Sequence, residues 1–104
     1  MSTYIHFQRL VHTPDGSVFI GRKAQGSGYL PRKGEYVRFE DEDHPHNFAT
    51  VEEVIQRVFA GQGLQGWVAI PVVILDDIEL DQPLEDVFEK WFVLEDPYEV
   101  EFES

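Results

Sequence analysis

The chain has 104 residues, of which 42% are apolar and 27% are charged, and its formal net charge is −12. This length fits a single acidic domain over residues 1–104 with a small hydrophobic core. The negative charge argues against direct nucleic-acid binding, which requires Lys and Arg, and against an anionic membrane surface. Because the chain has no cysteine, disulfides, thiol catalysis and cysteine-based zinc sites are excluded.

The N-terminal residues and the apolar runs indicate where the protein works. The first ten residues lack the basic region and apolar core of a signal peptide. No apolar run approaches the roughly 20 residues that a membrane-spanning helix needs. We therefore expect a cytoplasmic protein.

The N-terminal part predicts a β-hairpin. Residues 3–11 alternate between apolar and polar side chains, and residues 17–23 read as the returning strand. The connecting Thr13-Pro14-Asp15-Gly16 places a proline where φ must be near −65° and a glycine where a left-handed conformation closes the turn. Alternation resumes over residues 35–40, which predicts a third strand.

Residues 50–60 predict the first helix. Thr50 and Glu53 match a capping box. Apolar residues recur at helical spacing as one stripe: Val51, Val54, Ile55, Val58 and Phe59. Since Val and Ile lower helix propensity, a bulged strand over the same residues is the competing interpretation.

Three elements are predicted after this segment. The apolar run 67–75 is the central strand, and Pro71 within it indicates an edge position or a bulge. Residues 82–92 predict a second helix with an apolar stripe and acids in its first turn. Alternation over 98–103 predicts a last strand with one apolar and one anionic face.

The order of these elements predicts an α+β fold. We expect a mainly antiparallel sheet, made of the hairpin and two or three further strands, with helices 50–60 and 82–92 packed on one face. If residues 50–60 form a strand, the alternative is a small β-barrel with one helix.

The distribution of charge is the strongest functional signal. Residues 76–104 contain twelve of the 20 acids and one of the eight basic residues. Aromatic residues are interleaved with these acids, which is unlike a disordered acidic tail and indicates a folded anionic surface. The residues predicted to contact a partner are Asp76, Asp77, Glu79, Glu85, Asp86, Glu89, Trp91, Tyr98, Glu99 and Glu101.

Such a surface predicts a protein-binding module that inhibits or neutralises a basic partner: a toxin, a nuclease or a nucleic-acid-binding protein. In general composition the chain is similar to immunity proteins and to inhibitors that mimic nucleic acid. This hypothesis requires no enzymatic activity and no cofactor. The alternative is a homo-oligomeric structural or assembly protein, joined through the apolar face of the last strand.

The polar turn 41–47 suggests a second alternative, a small metal-binding protein. Imidazole and carboxylate are ordinary ligands of divalent metals. On an extended segment, His44 and His46 lie on the same side, with Asp43 or Asp41 beside them. The competing interpretation is a solvated turn that holds no metal.

Overall fold

A computed structural model describes residues 3–26, 29–60, 66–84 and 88–100 of the chain. These residues form seven strands and no helix, and hence no helix that could cross a membrane. The strands are β1 (Thr3–Thr13), β2 (Gly16–Gly26), β3 (Tyr36–Arg38), β4 (Phe48–Ala60), β5 (Trp67–Leu75), β6 (Ile78–Glu79) and β7 (Phe92–Val93). They build one sheet in the order β3-β4-β5-β1-β2-β7, with β6 beside β1. The sheet is mixed, because β5 and β6 run parallel to β1 and the other pairs are antiparallel.

The predicted hairpin is confirmed. Strands β1 and β2 pair over their full length, from Thr3 opposite Gly26 to Thr13 opposite Gly16. Gly16 has a φ of 128°, a conformation that side chains disfavour. The Thr13 hydroxyl donates to the Gly16 carbonyl oxygen at 2.8 Å and accepts from the Asp15 amide at 3.2 Å, which fixes the turn.

The predicted helix over residues 50–60 is wrong, because these residues belong to β4. The strand pairs with β5 over most of its length, and a register shift between Val51 and Glu53 marks a bulge. The stripe that suggested a helix is thereby divided between the two faces of the sheet: Val54 and Val58 lie on one face, Ile55 and Phe59 on the other. Their β-branched side chains suit this pleated surface, and the bulged strand is what forms.

The predicted helix over residues 82–92 is also wrong for its described part. The Phe88 amide donates to the Leu84 carbonyl oxygen at 3.3 Å, and the Trp91 amide donates to the Phe88 carbonyl oxygen at 3.4 Å. The second bond closes a turn over residues 88–91, and the described residues of this segment form no helix; residues 85–87 lie outside the described part. Phe92 then enters β7 opposite Gly21 of β2, because the edge of β2 offers free backbone partners.

The predicted central strand is confirmed as β5, but the edge position or bulge predicted from Pro71 is wrong, because β5 lies between β4 and β1 and its register with β4 is regular at Pro71. Pro71 pairs with Gln56 of β4, and the ladder with β1 begins one residue later, at Val72. Pro71 has no N–H to donate to β1, and it lies just before the residues of β5 that pair with β1.

The predicted last strand does not form over residues 98–100, and residues 101–104 lie outside the described part. Tyr98 has a φ of 64°, which interrupts an extended conformation. Since the described chain has a mixed sheet and no helix, neither the α+β fold nor a barrel with one helix describes it.

The sheet curls around its core and brings its two ends together. The first residues of β4 pair with β3, and the residues after the bulge pair with β5. Phe39, just after β3, meets Phe7 of β1 and Trp91, just before β7, in edge-to-face contacts with ring centroids 5.2 Å apart. Side chains thus close the space between the outermost strands, and loop 39–47 lies against segment 88–91.

Candidate functional site: an acidic cleft

Asp76, predicted to contact a partner, is engaged with Arg9 of the same chain. Arg9 lies on β1 and is only 2% exposed. It donates to the Asp76 carbonyl oxygen at 2.8 Å and to Asp76 Oδ1 at 3.0 Å. Its Nη1 donates to the carbonyl oxygens of His46 and Phe48. Burial lowers the pKa of Arg9, and the Asp76 carboxylate opposes that shift.

Trp91, predicted as an aromatic anchor, is also engaged within the chain. It is 8% exposed, and its indole N–H donates to Glu42 Oε1. The same oxygen accepts from Arg22 Nη1 at 3.0 Å. Arg22 lies over the rings of Phe39 and Trp91, 4.9 and 5.8 Å from their centroids. Because it is enclosed by these groups, Trp91 cannot insert into a partner.

Three segments far apart in sequence meet around one open cleft of about 530 Å³. They are residues 41–46, residues 80–82 and residues 89–90. We call this the acidic cleft, since its lining includes the carboxyl groups of Asp41, Glu42, Asp43, Asp81 and Glu89. Lys90 is the one Lys or Arg among the described lining residues, and it contacts Asp41 Oδ2 at 3.3 Å.

The carboxylates of the cleft differ in whether they are paired. Asp41 and Glu42 pair with Arg22 of β2. Asp43, Asp81 and Glu89 form no ion pair with any described residue, and all three are exposed. The cleft therefore presents three uncompensated negative charges to whatever enters it.

The wall of the cleft contains two buried polar atoms that form no hydrogen bond with a described residue, Glu42 Oε2 and His44 Nε2. They lie 3.3 Å apart, and the Glu42 side chain is only 5% exposed. The His46 amide donates to His44 Nδ1 at 3.0 Å, so the proton of a neutral His44 ring sits on Nε2. That N–H faces the carboxylate without the alignment of a hydrogen bond.

The histidines of the predicted metal site line the same cleft. The rings of His44 and His46 are 6.4 Å apart, and His44 packs against Phe88. Burial lowers the pKa of His46, as do the nearby Arg9 and His44, whereas Asp81 raises it. Within the described part of the chain, no three His, Asp or Glu residues, Asp43 included, are placed to share a metal ion.

The other predicted contact residues are divided between two places. Asp77 lies 3.2 Å from His12 Nε2, and Glu79 is exposed on β6, next to the cleft-lining residue Leu80. Tyr98 and Glu99 bind Gln8 through their backbones. Gln8 and Arg9 are neighbours on β1 and so point to opposite faces of the sheet. Glu85, Asp86 and Glu101 lie outside the described residues.

The acid cluster at residues 41–43 was visible in the sequence but was interpreted only as a metal site or a polar turn. Its place beside Asp81 and Glu89 depends on contacts between distant segments. Asp81 is not among the residues that the sequence predicts to contact a partner. No local pattern joins these residues, so sequence reasoning could not assemble the cleft.

The acid stability of the protein should depend on Asp41. Hydrogen bonds from Arg22, at 2.8 and 3.2 Å, lower the pKa of Asp41 from 3.8 to about 2, helped by Lys90. A depressed pKa stabilises the folded state above the unfolded value, and this contribution disappears as the pH falls through the folded value. Asp41→Asn should therefore be less stable than the wild type above pH 4, with the difference vanishing near pH 2.

Urea unfolding at a series of pH values measures this difference. Asp43→Asn is the matched control, because it removes a neighbouring carboxylate that contacts no cation. If the free energies of unfolding of the wild type and of Asp41→Asn differed by the same amount at every pH, the role given to Arg22 would be contradicted.

Comparison with known proteins finds no matching family model, no matching curated protein and no matching solved structure. Function must therefore be inferred from the charge and geometry of the described residues.

Proposed function

We propose that the chain is a binding module that neutralises a basic protein partner, as immunity proteins or nucleic-acid mimics neutralise a toxin or nuclease. The acidic cleft receives a Lys or Arg side chain of that partner. The observation that carries the proposal is the convergence on one cleft of Asp43, Asp81 and Glu89, none of which forms an ion pair with a described residue.

The electrostatics of the cleft favour a cationic occupant. Like charges that face each other destabilise a fold by a few tenths of a kcal/mol per pair, and an entering cation relieves that repulsion. An arginine fork can bond two carboxylates or both oxygens of one. The net charge of −12 also attracts a basic protein over distance and raises the rate of encounter.

The buried wall of the cleft supports the same class of ligand. Glu42 Oε2 has no hydrogen bond with a described residue although its side chain is nearly enclosed. A buried carboxylate oxygen is stabilised by a donor, preferably a charged one. A guanidinium in the cleft could supply such a donor once the His44 ring shifts from its position 3.3 Å away.

The contact surface that we propose is smaller than the set predicted from the sequence. Asp77 and Glu79 precede the cleft-lining residue Leu80 and extend the anionic surface. Asp76 and Trp91 are left out because they bind Arg9 and Glu42 of the same chain. Tyr98 and Glu99 are left out because they lie over the opposite face of the sheet.

A fluorescein-labelled hexa-arginine peptide, titrated at low protein concentration, tests the docking step. Removing two carboxylates with Asp81→Asn and Glu89→Gln should weaken peptide binding roughly three- to thirtyfold, at about 0.3–1 kcal/mol for each exposed charge contact. The matched control is Glu52→Gln with Glu53→Gln, which removes the same charge from exposed residues of β4 that do not line the cleft.

The affinity of the control variant for the peptide should fall by less than about threefold, through the change in net charge alone. Fluorescence anisotropy at two ionic strengths measures both variants, and wild-type binding should weaken as salt is added. Equal losses of affinity in the cleft variant and the control would show that peptide binding depends on net charge alone. That result would overturn the cleft as the docking site.

A further inference from the structure

A second exposed surface lies around β3 and the start of β4, and it carries basic and aromatic side chains. Three of its aromatic side chains are more than half exposed: Tyr29 at 65%, Tyr36 at 79% and Phe48 at 56%. Arg38 is opposite Phe48 in the β3–β4 ladder, so their side chains share a face, and Tyr36 lies two residues away on that face. We call this the basic-aromatic patch, formed by Tyr29, Arg32, Lys33, Tyr36, Arg38 and Phe48.

Two of the three cations of the basic-aromatic patch are unpaired, whereas the third, Arg38, lies 3.6 Å from Glu40 Oε1. Arg9 and Arg22 are held by carboxylates with limited exposure to solvent. Arg32 and Lys33 are exposed and form no ion pair with a described residue. Glu35 beside them is occupied, since it accepts the Tyr29 hydroxyl and, at 2.6 Å, the Arg32 amide.

We propose that the basic-aromatic patch of one copy docks on the acidic cleft of a second copy. The inference rests on the proposed function, because it uses the same cleft as the receptor for a cation. The unpaired charges of the two surfaces are opposite in sign: Arg32 and Lys33 on one, Asp81 and Glu89 on the other. Exposed Tyr and Phe beside Arg are the residue types that anchor protein interfaces.

The two surfaces are close in the chain, since Arg38 precedes Asp41 by three residues and Phe48 follows His46 by two. Neighbouring complementary surfaces allow a two-fold dimer in which each patch meets the other copy's cleft, and such an arrangement closes on itself. A second copy fits better than nucleic acid, because the net charge of −12 repels phosphates. The same charge opposes self-association, so the dimer depends on this local complementarity.

Charge exchange between two variants tests the proposal directly. One variant carries Arg32→Glu and Lys33→Glu, and the other carries Asp81→Lys and Glu89→Lys. Each variant alone places like charges across both contacts and should be monomeric at concentrations where the wild type dimerises. An equimolar mixture restores opposite charges across both contacts and should form a heterodimer at least tenfold more tightly than either variant self-associates.

Sedimentation velocity measures the association, with one variant fluorescently labelled and circular dichroism confirming that both are folded. Tyr36→Ser provides a variant of unchanged charge, which should weaken wild-type dimerisation by removing an exposed anchor. A monomeric wild type, or a mixture that stays monomeric while both variants are folded, would overturn the inference.

Two binding assays separate this inference from the proposed function. If the wild type is monomeric but its cleft binds hexa-arginine, only the self-docking inference fails; if neither occurs, both fail. Labelled single-stranded oligothymidine is the second probe. Its binding to a monomeric wild type, lost in the Arg32→Glu and Lys33→Glu variant, would make the patch a nucleic-acid surface and would also overturn self-docking.

Discussion

Replacing Arg9 with alanine is expected to lower the free energy of unfolding by about 2–4 kcal/mol, because backbone carbonyl oxygens lose their donor and a buried side chain is removed. Arg9 is almost fully buried and joins three parts of the chain. Its hydrogen bonds reach Asp76 after β5 and the carbonyl oxygens of His46 and Phe48 around the start of β4. Alanine removes all of these donors and leaves a cavity between the strands.

Arg9→Lys should also be strongly destabilising, because an ammonium cannot reproduce the fixed fork of donors. Asp77→Asn is the control, because Asp77 is adjacent to Asp76 in sequence. The Asp77 carboxylate is exposed, and its one ion-pair partner among the described residues is His12. Urea denaturation measures all three variants. An Arg9→Ala variant within about 1 kcal/mol of the control would contradict the structural role of Arg9.

The engagement of Asp76 shows why negative charge in a sequence is an incomplete guide to a binding surface. Asp76 and Asp77 are adjacent acids at the end of one strand, and sequence alone gives them the same role. In the fold, Asp76 Oδ1 accepts from Arg9 and from the Thr50 amide, whereas Asp77 is exposed. The distinction depends on Arg9, which precedes Asp76 by 67 positions.

Local sequence chemistry predicted the elements that are fixed locally. The hairpin at Pro14 and Gly16 is confirmed because its turn depends on the φ preferences of those residues. Residues 50–60 were predicted wrongly because they form a strand with a bulge after Val51. The apolar residues that recur at helical spacing are therefore divided between the two faces of that strand. Residues 82–92 were predicted wrongly because Phe92 pairs with β2, a partner that no local pattern reveals.

The acidic cleft was beyond sequence reasoning for the same physical reason. Acids at residues 41–43 and 81 are separated in sequence by β4, β5 and β6, and they line one cleft only in the folded chain. The closure between the two ends of the sheet depends on Glu42, which was counted in the sequence as one more charge of a polar turn. Its burial makes it the residue on which the shape of the cleft depends.

Glu42→Ala is accordingly expected to lower the free energy of unfolding by about 2–4 kcal/mol. The substitution leaves the buried indole N–H of Trp91 without an acceptor, at a cost of about 1–3 kcal/mol, and opens a cavity beside Phe39. Arg22 contributes less to the loss, because Asp41 still binds it through both carboxylate oxygens.

Glu42→Gln isolates the role of charge from that of shape. Its amide oxygen can still accept from Trp91 and Arg22, but its NH₂ group then faces the protonated Nε2 of His44. We expect the free energy of unfolding of Glu42→Gln to lie between those of the wild type and Glu42→Ala. Asp43→Ala, which removes an exposed carboxylate one residue away, should stay within about 0.5 kcal/mol of wild type.

Trp91 fluorescence in a Trp67→Phe background reports on this closure, since Trp67 is exposed and would otherwise contribute to the emission. In the Glu42→Ala variant, Trp91 emission should shift to longer wavelength while the protein is still folded, because the indole gains access to water. The shift should be absent in Asp43→Ala. Glu42→Ala could instead be as stable as Asp43→Ala and keep the wild-type spectrum. The packing of Phe39 on Trp91 would then hold the two ends of the sheet together. The buried Glu42 carboxylate would in that case serve only to bind a ligand in the cleft.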